Sequence, residues 1–179
     1  MGDAVVQRSA ELGAREISNI AWACGKLRHQ KHSLVDALAG QAVQILDEFI
    51  SQHLSNTLWA LARLQSYQRP LVDAISQQAL RKLPILTAQD LCSTAWSLAI
   101  LEVREWTLLE AVSGAALGKI KACGAQGVAN LLWSCATVLY WNMPLIDAVA
   151  EECLETCLRW DAGATAWNTF KSQEQANTA

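Results

Sequence analysis

Proline is scarce, with three residues in 179. With alanine abundant, that scarcity favours helix over strand. Charge is sparse as well. Charged residues make up 17% of the chain and the net charge is −3, so no overall basic field attracts nucleic acid or an anionic membrane. Six cysteines stand at 24, 92, 123, 135, 153 and 157, and none forms a Cys-x-x-Cys pair. A disulfide framework is therefore not expected, and a reducing intracellular compartment fits better. Catalytic signatures are missing too: no Gly-rich phosphate loop, no Gly-x-Ser-x-Gly elbow and no His-Glu-x-x-His. His29 with His32, and Cys153 with Cys157, each offer half of a metal site without a second pair. The expectation is no enzyme, no metal and no cofactor. The N-terminus carries neither a secretory signal nor a clear transit peptide.

What is there is hydrophobic and periodic. Hydrophobic residues make up 52% of the chain, which excludes a disordered polymer. One stretch, 122–146, carries no charge and is long enough to span a bilayer. It also holds Gln126, Asn130, Asn142 and Pro144 and follows the register described next, so no membrane span is expected.

Trp22, Trp59, Trp96 and Trp133 stand 37 residues apart, and their surroundings recur with them. Ile17-Ser-Asn-Ile-Ala-Trp22 matches Leu54-Ser-Asn-Thr-Leu-Trp59, Leu91-Cys-Ser-Thr-Ala-Trp96 and Val128-Ala-Asn-Leu-Leu-Trp133. Twelve residues after each Trp a second block repeats, opening at Leu34, Leu71, Leu108 and Leu145. The pattern predicts an all-α, right-handed α-solenoid of tandem 37-residue helix–turn–helix repeats. The repeats run at about 11–46, 47–83, 84–120 and 121–157, within one domain over 1–170. Partial units flank them, with Phe170 in the Trp register and a polar tail over 171–179. Both ends read as truncated units of a longer array, with apolar surface left to self-associate.

First helices are expected from seven residues before each Trp to about five after it. Second helices are expected to start near Ser33, Pro70, Thr107 and Pro144. Ser33 with Asp36, Thr107 with Glu110 and Thr87 with Asp90 read as capping boxes, and Pro70 and Pro144 suit a first turn. Asp36, Asp73, Glu110 and Asp147 read as capping carboxylates rather than catalytic ones. Cys24 and Cys135, in equivalent positions, read as small buried side chains.

On a helical wheel a polar stripe runs opposite the apolar arc of each first helix. It comprises Arg15, Gln52, Gln89 and Gln126 seven before the Trp, and Asn19, Asn56, Ser93 and Asn130 three before it. One after the Trp stand Ala23, Ala60, Ser97 and Ser134. Four after it stand Lys26, Arg63, Ile100 and Thr137. The tryptophans fall at the arc's edge and are expected to fill the seam between repeats, largely buried. Base stacking is the alternative. The recurring Asn reads either as a tie between repeats or as ligand recognition. Basic charge concentrates at one end. Residues 11–83 carry a net +2 and residues 84–157 a net −5.

The phrase Leu54-Ser-Asn-x-x-Trp-Ala-x-Ala-x-Leu64, followed by Leu71-Val-Asp-Ala74, resembles organellar RNA-metabolism arrays. These include octotricopeptide-type repeats, the repeats preceding RAP domains in FAST-kinase-domain proteins, and the RNA-editing substrate-binding complex proteins. The resemblance covers about 11–158. It implies RNA binding in a mitochondrion or plastid, in transcript processing, stability, editing or translation. The candidate RNA-binding residues are Asn19, Lys26, Gln52, Asn56, Arg63, Gln89, Ser93, Gln126 and Asn130. Single-stranded RNA and other proteins of an RNA-processing complex are the expected partners. The alternative is a protein–protein scaffold without direct RNA contact.

Overall fold

The computed structural model describes residues 6–140 and 142–161, apart from the side chains of residues 153 and 156–161. The C-terminal partial unit with Phe170, the polar tail and the side chains of Cys153 and Cys157 lie outside the described residues. The secondary structure among the described residues is helical. Eight α-helices follow one another: α1 (Ala14–Leu27), α2 (His32–Gln44), α3 (Ser51–Arg63), α4 (Arg69–Arg81), α5 (Ala88–Ile100), α6 (Trp106–Leu117), α7 (Ile120–Thr137) and α8 (Met143–Asp161). The odd-numbered helices carry the four repeat tryptophans and stack on one another in one layer. The even-numbered helices form a second, more loosely packed layer.

The spacing of apolar residues explains the packing. Ile17, Leu54, Leu91 and Val128, five before each Trp, are all buried, as are Leu34, Leu71, Leu108 and Leu145 in the second helices. Burying each such side chain contributes about 1.5–3 kcal/mol. No described helix is long and apolar enough to cross a membrane.

The helix ends keep one register. Arg28, Gln65, Glu102 and Leu139 stand 37 residues apart, and each has a positive φ between 50° and 58°. Beyond each, an amide reaches back into the helix just ended. His29 donates to the Cys24 carbonyl, Ser66 to Leu61, Val103 to Leu98 and Tyr140 to Cys135. This is the left-handed closure that satisfies carbonyls at a helix C-terminus. None of the four is glycine, although an L-residue there costs about 1–2 kcal/mol. Short 3-10 turns at Leu46–Glu48 and Leu83–Ile85 then lead into α3 and α5. The corresponding turn before the fourth Trp helix is continuous with α7 except at Gly124, whose φ of 64° and ψ of 169° break it. Few side chains other than glycine tolerate that backbone.

Polar clamps join neighbouring units. The Lys82 ammonium donates to the Phe49 carbonyl, and Lys119 donates to Leu86 one register later. Gln30 donates to the Leu64 carbonyl at 2.7 Å. Thr87 and Asp90 form the expected capping box.

The other two expected boxes do not form. The helices start earlier, at His32 and Trp106, so Lys31 and Glu105 occupy the cap positions and make no side-chain cap bond. Asp36, Asp73 and Glu110 therefore fall beyond the first turn. Asp36 instead accepts from Gln68 at 2.8 Å, and Asp73 pairs with Arg69 at 3.6 Å. At α8 the cap is Asn142, whose Oδ1 accepts from the Leu145 amide. Pro70 occupies a first helical turn, as expected.

Candidate nucleic-acid interface

The open side of α3 is a single line of residues. Leu54, Ser55, Thr57, Leu58, Ala60, Leu61 and Ala62 are buried. Gln52 is exposed, and Asn56, Trp59 and Arg63 are half-buried. At about 100° per residue these last four lie within about 60° of arc. The same line on α1 is Arg15, Asn19, Trp22 and Lys26. On α5 it is Gln89, Ser93, Trp96 and Ile100, and on α7 it is Gln126, Asn130, Trp133 and Thr137. Every one of these side chains is exposed or half-buried.

The tryptophans differ from expectation. Trp22 is 43% exposed and Trp133 is 45% exposed, with Trp59 and Trp96 half-buried. The reason lies in how closely the odd helices approach. A Cβ on Gly25 would stand 3.0 Å from the Ala60 Cα and 3.2 Å from Trp59 Cζ3. With backbones that near, the Trp59 ring edge already abuts Gly25, and Trp22 is left partly open to solvent. The position after the Trp is corrected as well. Ala60, Ser97 and Ser134 are buried in the seam. The two serines satisfy themselves by donating to the carbonyls of Ser93 and Asn130.

The recurring Asn does not tie repeats together. Among the described residues the side chains of Asn19, Asn56 and Asn130 make no hydrogen bond. The tie is made one position earlier, where the buried Ser55 hydroxyl donates to Asp90 Oδ1 at 2.7 Å. The cations are equally unengaged by acids. Lys26 and Arg63 have no acidic partner among the described residues. Arg63 instead sets its guanidinium 5.7 Å from the Trp59 ring centroid, with Nε buried and unpartnered. Trp59 in turn stacks on Trp22, with centroids 6.4 Å apart and planes 27° apart. Arg15 meets its neighbour Glu16 at 3.8 Å with both exposed, a pair worth little.

A family model for the RNA-editing substrate-binding complex 6 protein matches residues 2–170. The chain belongs to that family. No curated protein matches the chain.

Several titratable side chains of this family member are shifted by burial. Burial holds the His53 imidazole below its ordinary 6.5, and its ring meets Phe49 edge-on at 5.8 Å. The Cys24 and Cys135 thiols are buried, which pushes both upward. Cys92 and Cys123 share a hydrogen bond, which raises the first thiol and lowers the second. His29 and His32 are exposed loop-side residues.

Sequence reasoning placed the tryptophans in the seam and kept an open-face role, base stacking, only as the alternative. The signal was available, because the wheel sets the Trp beside the Asn and Lys/Arg positions. What the wheel does not carry is the distance between neighbouring backbones.

Proposed function

We propose that this chain is an RNA-binding adaptor of an organellar RNA-editing complex, in a mitochondrion or plastid, working by binding rather than catalysis. Single-stranded RNA runs along the open face of α1, α3, α5 and α7, in a right-handed solenoid of 37-residue units akin to octotricopeptide-type arrays. One observation carries this reading. Unpartnered Asn19 and Asn56 amides share one helix line with Lys26 and Arg63, cations without acidic partners, in a family named for substrate binding in RNA editing. Cations position the phosphates, and amides read base edges. Gln52, Gln89, Ser93, Gln126 and Asn130 extend the line at lower charge. Other proteins of the complex are the remaining partners.

The test is Lys26→Glu with Arg63→Glu, assayed by fluorescence anisotropy on short single-stranded RNA. Removing one cation from a phosphate weakens binding about fivefold near 0.1 M salt, so the expected loss is roughly twentyfold or more. Undiminished binding at moderate salt removes this site. A second reading, a protein scaffold, is favoured by the net −5 over residues 84–157. It replaces the first if the unmodified chain shows no RNA affinity even at low salt.

A further inference from the structure

We infer that Trp22 and Trp59 are stacking platforms for unpaired nucleobases, completed by the Arg63 guanidinium. This rests on the RNA-binding reading above and adds to it what the rings recognise. Three observations converge. The Trp22 ring is 43% exposed although indole is the largest apolar group in the chain and a packed seam lies beside it. The Trp22 and Trp59 rings already stack, and Arg63 lies over the second of them. Lys26 and Arg63 each sit one helical turn beyond their ring, and Asn19 and Asn56 each sit one turn before it.

That combination matches one kind of occupant. A nucleotide offers a flat π-face, polar base edges and an anionic phosphate, and the triad of ring, amide and cation answers each. An apolar peptide helix would meet the rings but leave the cations without an acid. The 6.4 Å between centroids is close to two base steps of about 3.4 Å, so nucleotides two apart reach adjacent rings without stretching the strand. Stacking is sequence-tolerant, because every base presents a π-face. Duplex RNA, with its faces already used, is excluded. Trp96 and Trp133 keep the ring but have Ile100 and Thr137 in the cation position, so the stacking platform belongs to the first two units.

The test compares a fluorescent oligouridine with a ribose–phosphate oligomer of equal length that carries no bases. Trp22→Leu and Trp59→Leu each lower oligouridine affinity, by roughly fivefold to a hundredfold per ring. They leave affinity for the abasic oligomer and the salt slope unchanged. Trp22→Tyr and Trp59→Tyr restore most of the loss. Because these tyrosine variants keep a ring in place, they also separate stacking from misfolding, which circular dichroism checks directly. Equal affinity of the unmodified chain for both oligomers overturns stacking and leaves the charge-based reading standing. Failure to recover with tyrosine, in a folded variant, also overturns it. No binding to either oligomer at low salt overturns both readings together.

Discussion

The first two units and the last two use one backbone plan for different surfaces. In α1 and α3 the open line ends in Lys26 and Arg63, and the two rings stack. In α5 and α7 the same places hold Ile100 and Thr137, and Thr137 turns its hydroxyl onto the Trp133 carbonyl at 2.8 Å. The helix closures are alike in all four, down to the left-handed residue. The repeat therefore specifies where a side chain stands, and single positions along the open line decide what it meets. Positive charge on the open line is a local property here, although the chain as a whole is acidic.

The largest expected effect breaks the first half. Gly25→Val places new atoms against the Ala60 backbone, and overpacking of this kind costs about 2–3 kcal/mol. Chemical denaturation should show that loss, with RNA affinity falling as the Trp22–Trp59 stack opens. Unchanged stability would mean that the close approach of α1 and α3 is not a constraint.

The second effect makes the two halves alike. Ile100→Arg with Thr137→Lys adds two cations to the open line. If both reach phosphates, RNA affinity rises roughly twentyfold near 0.1 M salt and the salt slope steepens by about 1.4. Anisotropy over a salt series decides it. A flat response would confine the RNA to α1 and α3.

A third effect tests the joint between the halves. Asp90 bonds Ser55 of the preceding unit as well as its own cap residue Thr87. Asp90→Ala should cost about 2 kcal/mol, from the missing cap and the stranded hydroxyl. Thermal melts with separate readouts for each half should then show less cooperative unfolding.

The pairing of helices was legible because apolar residues recur at helical spacing and the tryptophans set the register. Helix starts were less so. Ser33 and Thr107 have the right chemistry for caps, yet their helices begin before them, with Lys31 and Glu105 in the cap positions. Tertiary packing of Leu34 and Leu108 extends the helices past the local signal. The candidate residues at the Asn and Lys/Arg positions were readable from periodicity. The exposure of Trp22 was not, since it depends on Gly25 meeting Ala60 across 35 residues of sequence. The Ser55–Asp90 tie was hidden for the same reason: its two ends lie in different repeats.

Smaller effects remain. Glu102→Gly relieves a left-handed L-residue in the second half, and Gln65→Gly does the same in the first. Strain relief exceeds the added chain entropy of glycine by about 0.5 kcal/mol, so each should raise the denaturation midpoint slightly and by the same amount. The smallest effect concerns His53, whose equivalent in the next unit is Asp90. Because burial disfavours its charged form, the folded chain binds that proton less readily than the unfolded one. Stability is then present above about pH 6.5 and declines as pH falls through that value. His53→Gln should flatten this decline in melts between about pH 7 and 5.

The close approach of Gly25 to Ala60 has a mechanical meaning. Where α1 meets α3, a glycine lets the backbones come close with no long side chain between them to bend, so that edge is the stiffer one. The even helices meet through flexible glutamines, such as Gln68 reaching Asp36, and that edge is compliant. Torque on the molecule, from neighbours in a large assembly, is then absorbed by the compliant edge. The stacked Trp22 and Trp59 rings ride on that stiffer edge, so their spacing is the better protected.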